Sequence, residues 1–506
     1  MSRTLSHSQA TLSSQTKKVT PAQCAAKPQR PSGTRRSTRA SSYTPTSPER
    51  FCAQYHDYTG LQVVHPHAAG IDVGGSISHF VALEVSPCVL EVREFGCDTE
   101  DLYALRDYLK KYHVTTVALE STGVYWIPIY DILQDAGFVV CLVNPSQVKN
   151  VPGRRKDDKL DCRWLLTLHT FGLLSASFRP SAEILELRSI WRMRSQLIAL
   201  QADEVRRMQK YLDEMNVRVH KVLSDLSGVT GLAIVQAIIR GEHRPEVLAQ
   251  YRDCRCKCTE EELRRALTGH YRPATIFNLE LAYQRHQMYR TQIAACDAKM
   301  QPLLIALIPM GDDDIADQLQ RAGTPTKQTA TEIRYHLPAY DLETYLKLML
   351  GCEATSIPGL GPLLVMTLVS ELGLNCAAWK SEKHFCSYLG LCPKHDISGS
   401  KVLKNHTKKT TQRAAAAFRQ AAAAVMRSDS ALGAFYRRKA VSGNSGKAQV
   451  ATARKIACDF YRMIVYGQTY AEVGAAAYEE QVRKQQLKSL IKRAKMLGFE
   501  VTPLAA

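Results

Sequence analysis

The chain lacks any long hydrophobic run. Across 506 residues no stretch stays apolar for the roughly 20 residues that a bilayer-spanning helix requires. Its first residues also lack the apolar core of a secretion signal. These absences exclude an integral membrane or exported protein from expectation and point to a soluble, cytoplasmic one. The fifteen cysteines lack a disulfide-like rhythm, and several lie inside apolar segments such as Phe138-Val-Val-Cys141, as reduced intracellular thiols do. Cys254, Cys256 and Cys258 form a C-x-C-x-C, but no second Cys or His pair follows at zinc-finger spacing, so a surface turn is expected there. No Gly-x-x-x-x-Gly-Lys-Ser/Thr loop occurs, which removes the usual signature of ATP chemistry. Acid is nearly missing from the start of the chain, where Glu49 is the only acidic residue in the first fifty.

What is present is positive charge. Lys plus Arg is 66 against 48 Asp plus Glu, a formal net charge of +18. A surplus of that size favours a polyanionic partner, because neutralising phosphates releases counterions. Residues 1–60, rich in Ser, Thr, Pro, Gln and basic side chains, bury too little apolar surface to fold alone and read as a disordered basic tail. From 61 the pattern alternates: strands over 69–73 and 79–85, a helix through Leu102, Leu105, Tyr108 and Leu109, a strand over 116–120, a helix over 127–136, a strand over 138–143 and a helix over 158–168. That order implies an α/β sheet with functional residues at strand ends.

Residues 183–300 offer no strand signal. Leu187, Ile190, Trp191, Leu197, Val205, Met208 and Leu212 recur at helical spacing among charges, which reads as a long helical hairpin or coiled coil with 286–307 as the returning arm. Asp312, Asp313 and Asp314 are adjacent, and neighbours on a chain rarely converge on one ion, so a solvated turn is expected. Further on, Pro358-Gly-Leu-Gly361 before an apolar helix over 363–372 resembles a helix-hairpin-helix turn, whose N–H groups can hold a phosphate. A polar stretch over 394–411 and an Ala-rich helix over 413–426 follow. The length suits several domains. The expected division is a basic tail (1–60), an α/β domain (61–182), a helical coiled-coil linker with an insertion (183–345), a mainly α domain (346–475) and a basic helical tail (476–506).

Two groups of residues carry chemistry. Asp72 in Ala69-Gly-Ile-Asp-Val-Gly74 and Glu120 in Val117-Ala-Leu-Glu-Ser121 each end an apolar strand. Asp158 and Asp161, in Lys156-Asp-Asp-Lys-Leu-Asp161, are spaced i, i+3, so a helix points both carboxylates the same way. Four carboxylates in that order suit hard cations such as Mg²⁺, which phosphodiester chemistry often uses in pairs. Taken singly, each acid is also an ordinary surface residue. The second group is Ser398, with Ser400 beyond Gly399, on a polar stretch with Lys394, His395, Lys401, Lys404 and His406. A serine on a flexible loop among cations can attack phosphorus, because the cations stabilise the added charge. Ser-Gly loops without chemistry are common too.

Taken together, these segments resemble the transposases of the IS110/IS1111 insertion-sequence family. The resemblance rests on Gly70-Ile-Asp72, Leu119-Glu-Ser-Thr-Gly123 with Tyr125, Asn144-Pro145, Lys156-Asp-Asp-Lys-Leu-Asp161, Ser356-Ile-Pro-Gly-Leu-Gly361, Tyr388-Leu-Gly-Leu391, Ile397-Ser-Gly-Ser400, Gly446-Lys-Ala448 and Ala453-Arg-Lys-Ile456, in that order. It implies an RNase H-like (RuvC-like) N-terminal domain whose D-E-D-D metal site maps to Asp72, Glu120, Asp158 and Asp161, with two Mg²⁺ ions expected. It implies a C-terminal domain whose serine nucleophile maps to Ser398, Ser400 being the fallback. It further implies donor and target DNA, an element-encoded guide RNA, and a homo-oligomer, dimer or tetramer, bridged by the coiled coil. Two other functions fit the same residues: a RuvC-like nuclease that uses water, and an inactive nucleic-acid-binding relative.

Overall fold

The computed structural model describes residues 61–75, 77–87, 89–121, 123–145, 158–311, 336–399, 401–407, 410–441 and 444–502. The basic tail, Asp157, the Asp312–Asp314 cluster and Ser400 lie outside the described residues. The chain divides into two compact units, Met1–Ser177 and Phe178–Ala506.

The first unit is built on a five-stranded mixed sheet. Its strands are β1 (Ala68–Asp72), β2 (His79–Ser86), β3 (Val89–Phe95), β4 (Thr116–Glu120) and β5 (Val139–Val143), in the spatial order β3-β2-β1-β4-β5. β1, β2 and β3 form an antiparallel meander, whereas β4 pairs parallel to β1 and β5 parallel to β4. The helices are α1 (Thr99–Lys111), α2 (Trp126–Asp135) and α3 (Asp158–Thr170). Because side chains alternate along a strand, each strand supplies two different faces. Ala69, Ile71, Val117 and Leu119 pack with Leu105 and Leu109 of α1 and Ile129 and Leu133 of α2. Ala68, Ala82 and Ala118, on the opposite face, pack with Cys162, Leu165 and Leu166 of α3. The result is two helices on one side of the sheet and α3 on the other.

The second unit is mainly helical. Two helices of 33 and 34 residues, α4 (Ala182–Glu214) and α6 (Pro273–Ala306), pair along their length, each about 50 Å long at 1.5 Å per residue. Ion pairs Glu186–Lys299, Arg194–Asp297 and Glu204–Arg285 run in opposite sequence directions, so the pair is antiparallel. The returning arm therefore starts at Pro273 and not near 286. Proline is at home in the first turn, where its missing N–H is not needed. Between the arms, short helices and α5 (Val229–Ile239) fold onto the ends of both around Met208, Leu212, Val217, Ile234, Leu248, Leu263 and Leu279. The C-x-C-x-C segment forms turns, but only Cys254 is exposed; Cys258 is buried in this small core.

The base of the hairpin shares one core with the remaining helices α7 (Leu342–Leu350), α8 (Pro362–Leu372), α9 (Glu382–Tyr388), α10 (Arg413–Ala424), α11 (Ala431–Val441) and α12 (Ser445–Tyr466), followed by α13 (Gly474–Met496). Phe385, Phe418, Phe460 and Tyr461 stack edge-on or tilted at its centre. Gly359 shows why the Pro-Gly-Leu-Gly turn needs glycine. Its φ of 87° is left-handed, and a Cβ there would stand 2.5 Å from the Ala421 carbonyl of α10. The polar stretch expected as a flexible loop is a β-hairpin, β6 (Pro393–Ser398) and β7 (Lys401–Thr407). Main-chain pairing holds it where its side chains offer no apolar alternation to read.

Candidate active site

Four predicted carboxylates belong to the first unit, and its topology gathers their backbones. In the parallel pairing Ile71 is opposite Leu119, so Asp72 and Glu120 follow side by side at the carboxyl ends of neighbouring strands, about 4.8 Å apart. Both share the parity of Gly70 and Ala118, and therefore the sheet face that α3 covers. Asp158 and Asp161 lie one turn before Cys162, Leu165 and Leu166, the residues that α3 buries against that face. The helix direction brings this first turn to the same end of the sheet. At the far end of α3, His169 Nε2 lies 2.9 Å from Thr116 Oγ1 at the start of β4.

The close approach of α3 rests on Gly70. A Cβ there would stand 2.4 Å from the Cys162 carbonyl oxygen and from the Leu166 nitrogen. Burial pushes the Cys162 thiol up to about 12, and the Asp72 charge adds to that rise, which sets Asp72 close to the helix. Glu120 is buried, 8% exposed, whereas Asp72 and Asp161 are partly exposed and Asp158 is exposed. The helix N-terminus supplies partial positive charge beside Asp158 and Asp161.

An all-oxygen donor set of this kind suits a hard divalent cation. The backbone places all four carboxylates at one end of one sheet face. As they stand, no three His, Cys, Asp or Glu side chains among the described residues are close enough together to hold an ion. Holding one therefore requires side-chain rotation about these fixed backbone positions.

Tyr125 had no role in the sequence reading beyond belonging to a motif. It stands half exposed, with its ring 3.5 Å from where a Gly75 Cβ would sit, so the loops after β1 and β4 meet beside the carboxylates. An exposed aromatic next to paired strand-end acids was its only signal.

Ser398 belongs to the second unit. It is exposed at the last position of β6 and is paired with Lys401, the chain turning at Gly399. Gly399 has φ of 50°, the left-handed conformation such turns need. Along the hairpin Lys394 is in register with His406, and Asp396 with Lys404. Lysines thus occupy alternate rungs from the serine down, at Lys401, Lys404 and Lys394.

Strand-end carboxylates under a helix, and a hydroxyl at the tip of a hairpin with lysines on its strands, are arrangements of the kind that phosphodiester chemistry uses. Family comparison is in accord. A model of DEDD transposases of IS110, described as "Transposase", matches residues 69–217, and the "Transposase IS116/IS110/IS902 family" model matches 353–437. The chain belongs to the IS110 family of transposases and is an enzyme of DNA transposition. Membership of the DEDD class points to dependence on a divalent metal ion. No curated protein matches the chain. Among the described residues no helix is long and apolar enough to cross a membrane.

Proposed function

We propose that this transposase cuts and rejoins donor and target DNA through Ser398, assisted by Mg²⁺ at Asp72, Glu120, Asp158 and Asp161. The observation that carries the reading is the gathering of those four backbone positions at one end of one sheet face, under the first turn of α3. The strand order, with an antiparallel meander at one edge and parallel strands at the other, supports reading this unit as RNase H-like, of the RuvC type. Two bound ions would neutralise charge on the reacting phosphate and orient it.

The protein's own residues carry the rest. Ser398 Oγ attacks phosphorus, the P–O3′ bond breaks, and the proton lost by the serine ends on the departing 3′-hydroxyl. The strand's 5′-phosphate is then esterified to Ser398. Attack by a 3′-hydroxyl of the other DNA reverses these events and frees the serine, so phosphodiester energy is conserved without ATP. The cations in register along β6 and β7 stabilise the phosphate during both steps. Recognition of the two DNAs falls to an element-encoded guide RNA, which the surplus of +18 suits. A homo-oligomer, dimer or tetramer, brings residues 61–182 of one subunit to residues 346–475 of another through the coiled coil of 183–345.

Covalent capture tests the reading. Purified protein, Mg²⁺, donor and target DNA and the RNA transcribed beside the coding region are combined, separated under denaturing conditions, and any adduct is mapped. A DNA-linked peptide containing Ser398, absent from Ser398→Ala and Asp161→Ala, is expected. Cleavage that survives Ser398→Ala without an adduct would replace the serine with water. A link at Ser400 would move the nucleophile two residues along the hairpin.

A further inference from the structure

A pocket of about 290 Å³ in the second unit lies between the two feet of the serine hairpin. Tyr388, at the end of α9, lines it five residues before β6 begins; Gln412 and Arg413, which lead into α10, line it after β7 ends. Arg188 and Arg192 of α4 and Glu371 of α8 complete its charged wall. Three guanidinium groups therefore face one carboxylate.

That carboxylate is already engaged. Arg192 donates two hydrogen bonds to Glu371, at 2.8 and 2.7 Å. Arg188 donates to the main-chain oxygens of Ser370 and Glu371, at 2.8 and 3.0 Å, and also pairs with the Glu371 carboxylate at 3.7 Å. Arg413 has no ion pair or side-chain hydrogen bond among the described residues and stands exposed at the mouth. Buried Arg188 titrates below the usual guanidinium range, mainly through burial; Glu371 opposes this, while the charges of Arg192 and Arg179 add to it. The Gln412 amide oxygen is buried without a hydrogen-bond partner. Exchange of its O and N, which leaves the shape unchanged, turns a donor toward the same space. One unpaired guanidinium, beside two that share a single carboxylate, together with an unsatisfied amide describes a site for an oxyanion.

We propose that this pocket seats a backbone phosphate of the DNA strand that the Ser398 hairpin engages. The six residues of β6, at about 3.3 Å each, put the pocket roughly 20 Å from the serine. That is about six base-pair steps at 3.4 Å. A phosphate held there would fix the strand's register before attack at the hairpin tip. A nucleic-acid strand suits the pocket better than a free metabolite, because Arg413 stands exposed at its mouth and the residues that line it flank the Ser398 hairpin on both sides in the chain. The inference rests on the DNA-processing reading above.

The test is equilibrium binding of full-length protein, loaded with the RNA transcribed beside the coding region, to a fluorescein-labelled 40-base-pair donor duplex over a KCl series, with Ser398→Ala as background so that no chemistry intervenes. Arg413→Ala is expected to weaken binding about tenfold near physiological salt and to lower the slope of log K against log[KCl] by about 0.9, one phosphate contact. Arg413→Lys should recover most of the slope. A duplex with a single neutral methylphosphonate, walked along the strand, should at one position bind wild type and Arg413→Ala alike. Unchanged affinity and slope in Arg413→Ala, whose side chain is exposed and packs into no core, would overturn the pocket while leaving the serine mechanism standing. Failure of the Ser398→Ala parent to bind the duplex at all would overturn the DNA-processing reading together with it.

Discussion

Gly70 carries a constraint that no other residue type meets, since its missing Cβ is what lets α3 lie on β1. Gly70→Ala would force the helix away from the strand ends by overpacking, a change that costs about 1–3 kcal/mol. Urea unfolding should record that loss, and adduct formation should fall more than stability does, because Asp158 and Asp161 move with the helix. His169 makes a pH prediction for the same unit. Burial, reinforced by the neighbouring His65, holds its imidazole down at about 4, against an ordinary 6.5. The unfolded chain therefore takes up a proton below 6.5 that the folded unit refuses until about 4. Its contribution to stability is complete above 6.5 and is lost as pH falls toward 4, on the order of 3 kcal/mol in all. His79 is depressed by burial in the same sense. Thermal unfolding between pH 7 and 4.5 should show this decline, and His169→Gln should flatten it. At this scale the positions of Asp72, Glu120, Asp158 and Asp161 at strand ends and a helix start were legible, because strand ends and an i, i+3 spacing are local patterns. Tyr125 was not, because its place depends on two loops meeting.

At the scale of elements, all strands and helices of the first unit but β3 (Val89–Phe95), which the sequence reading missed, were readable from apolar runs of period 2 and 3.6 and occur within a residue or two of the expected bounds. Two elements were misread, for different reasons. The arm starting at Pro273 buries Thr275, Leu279 and Ala282, of which only Leu279 is a large apolar side chain, so its first turns gave no apolar stripe and looked like loop. The β6–β7 hairpin pairs through main-chain hydrogen bonds, with Lys, His, Asp and Asn along both strands, and resembles a solvated loop in sequence. The long helical hairpin depends on one concealed ion pair. Arg194, 2% exposed, donates to Asp297 and to the His336 carbonyl oxygen and lies over the Trp191 ring. Asp297→Ala leaves that guanidinium buried without its counter-charge and is expected to cost about 3–5 kcal/mol, whereas the paired change Arg194→Met with Asp297→Leu should recover much of it. Denaturant titrations followed by helical circular dichroism would measure both. A loss as large in the double variant as in the single would show that packing, not charge, governs the contact.

For the whole molecule, separate roles for net charge and bound metal follow from the distribution of side chains. Affinity for nucleic acid derives from a surplus of +18 spread along the chain, whereas the ion would be held by four acids within one unit. Chelation of divalent metal with EDTA should therefore abolish strand transfer and leave DNA binding nearly intact. The same acids link metal to stability. They are like charges at one end of one sheet face, and an ion that binds the folded unit alone stabilises it by RT ln(1 + [L]/Kd), about 2.7 kcal/mol at a hundredfold excess over Kd. Melting of the wild-type chain should rise with Mg²⁺ and not with the same ionic strength of K⁺. Asp72→Asn and Glu120→Gln should lose that response without falling below the metal-free wild type, because each removes one of the mutually repelling charges. Ser398→Ala should keep the response in full, since the serine belongs to the other unit. If Mg²⁺ shifts neither wild type nor Ser398→Ala, the four carboxylates do not form the metal site in the free protein, and assembly with DNA becomes the step that draws them together.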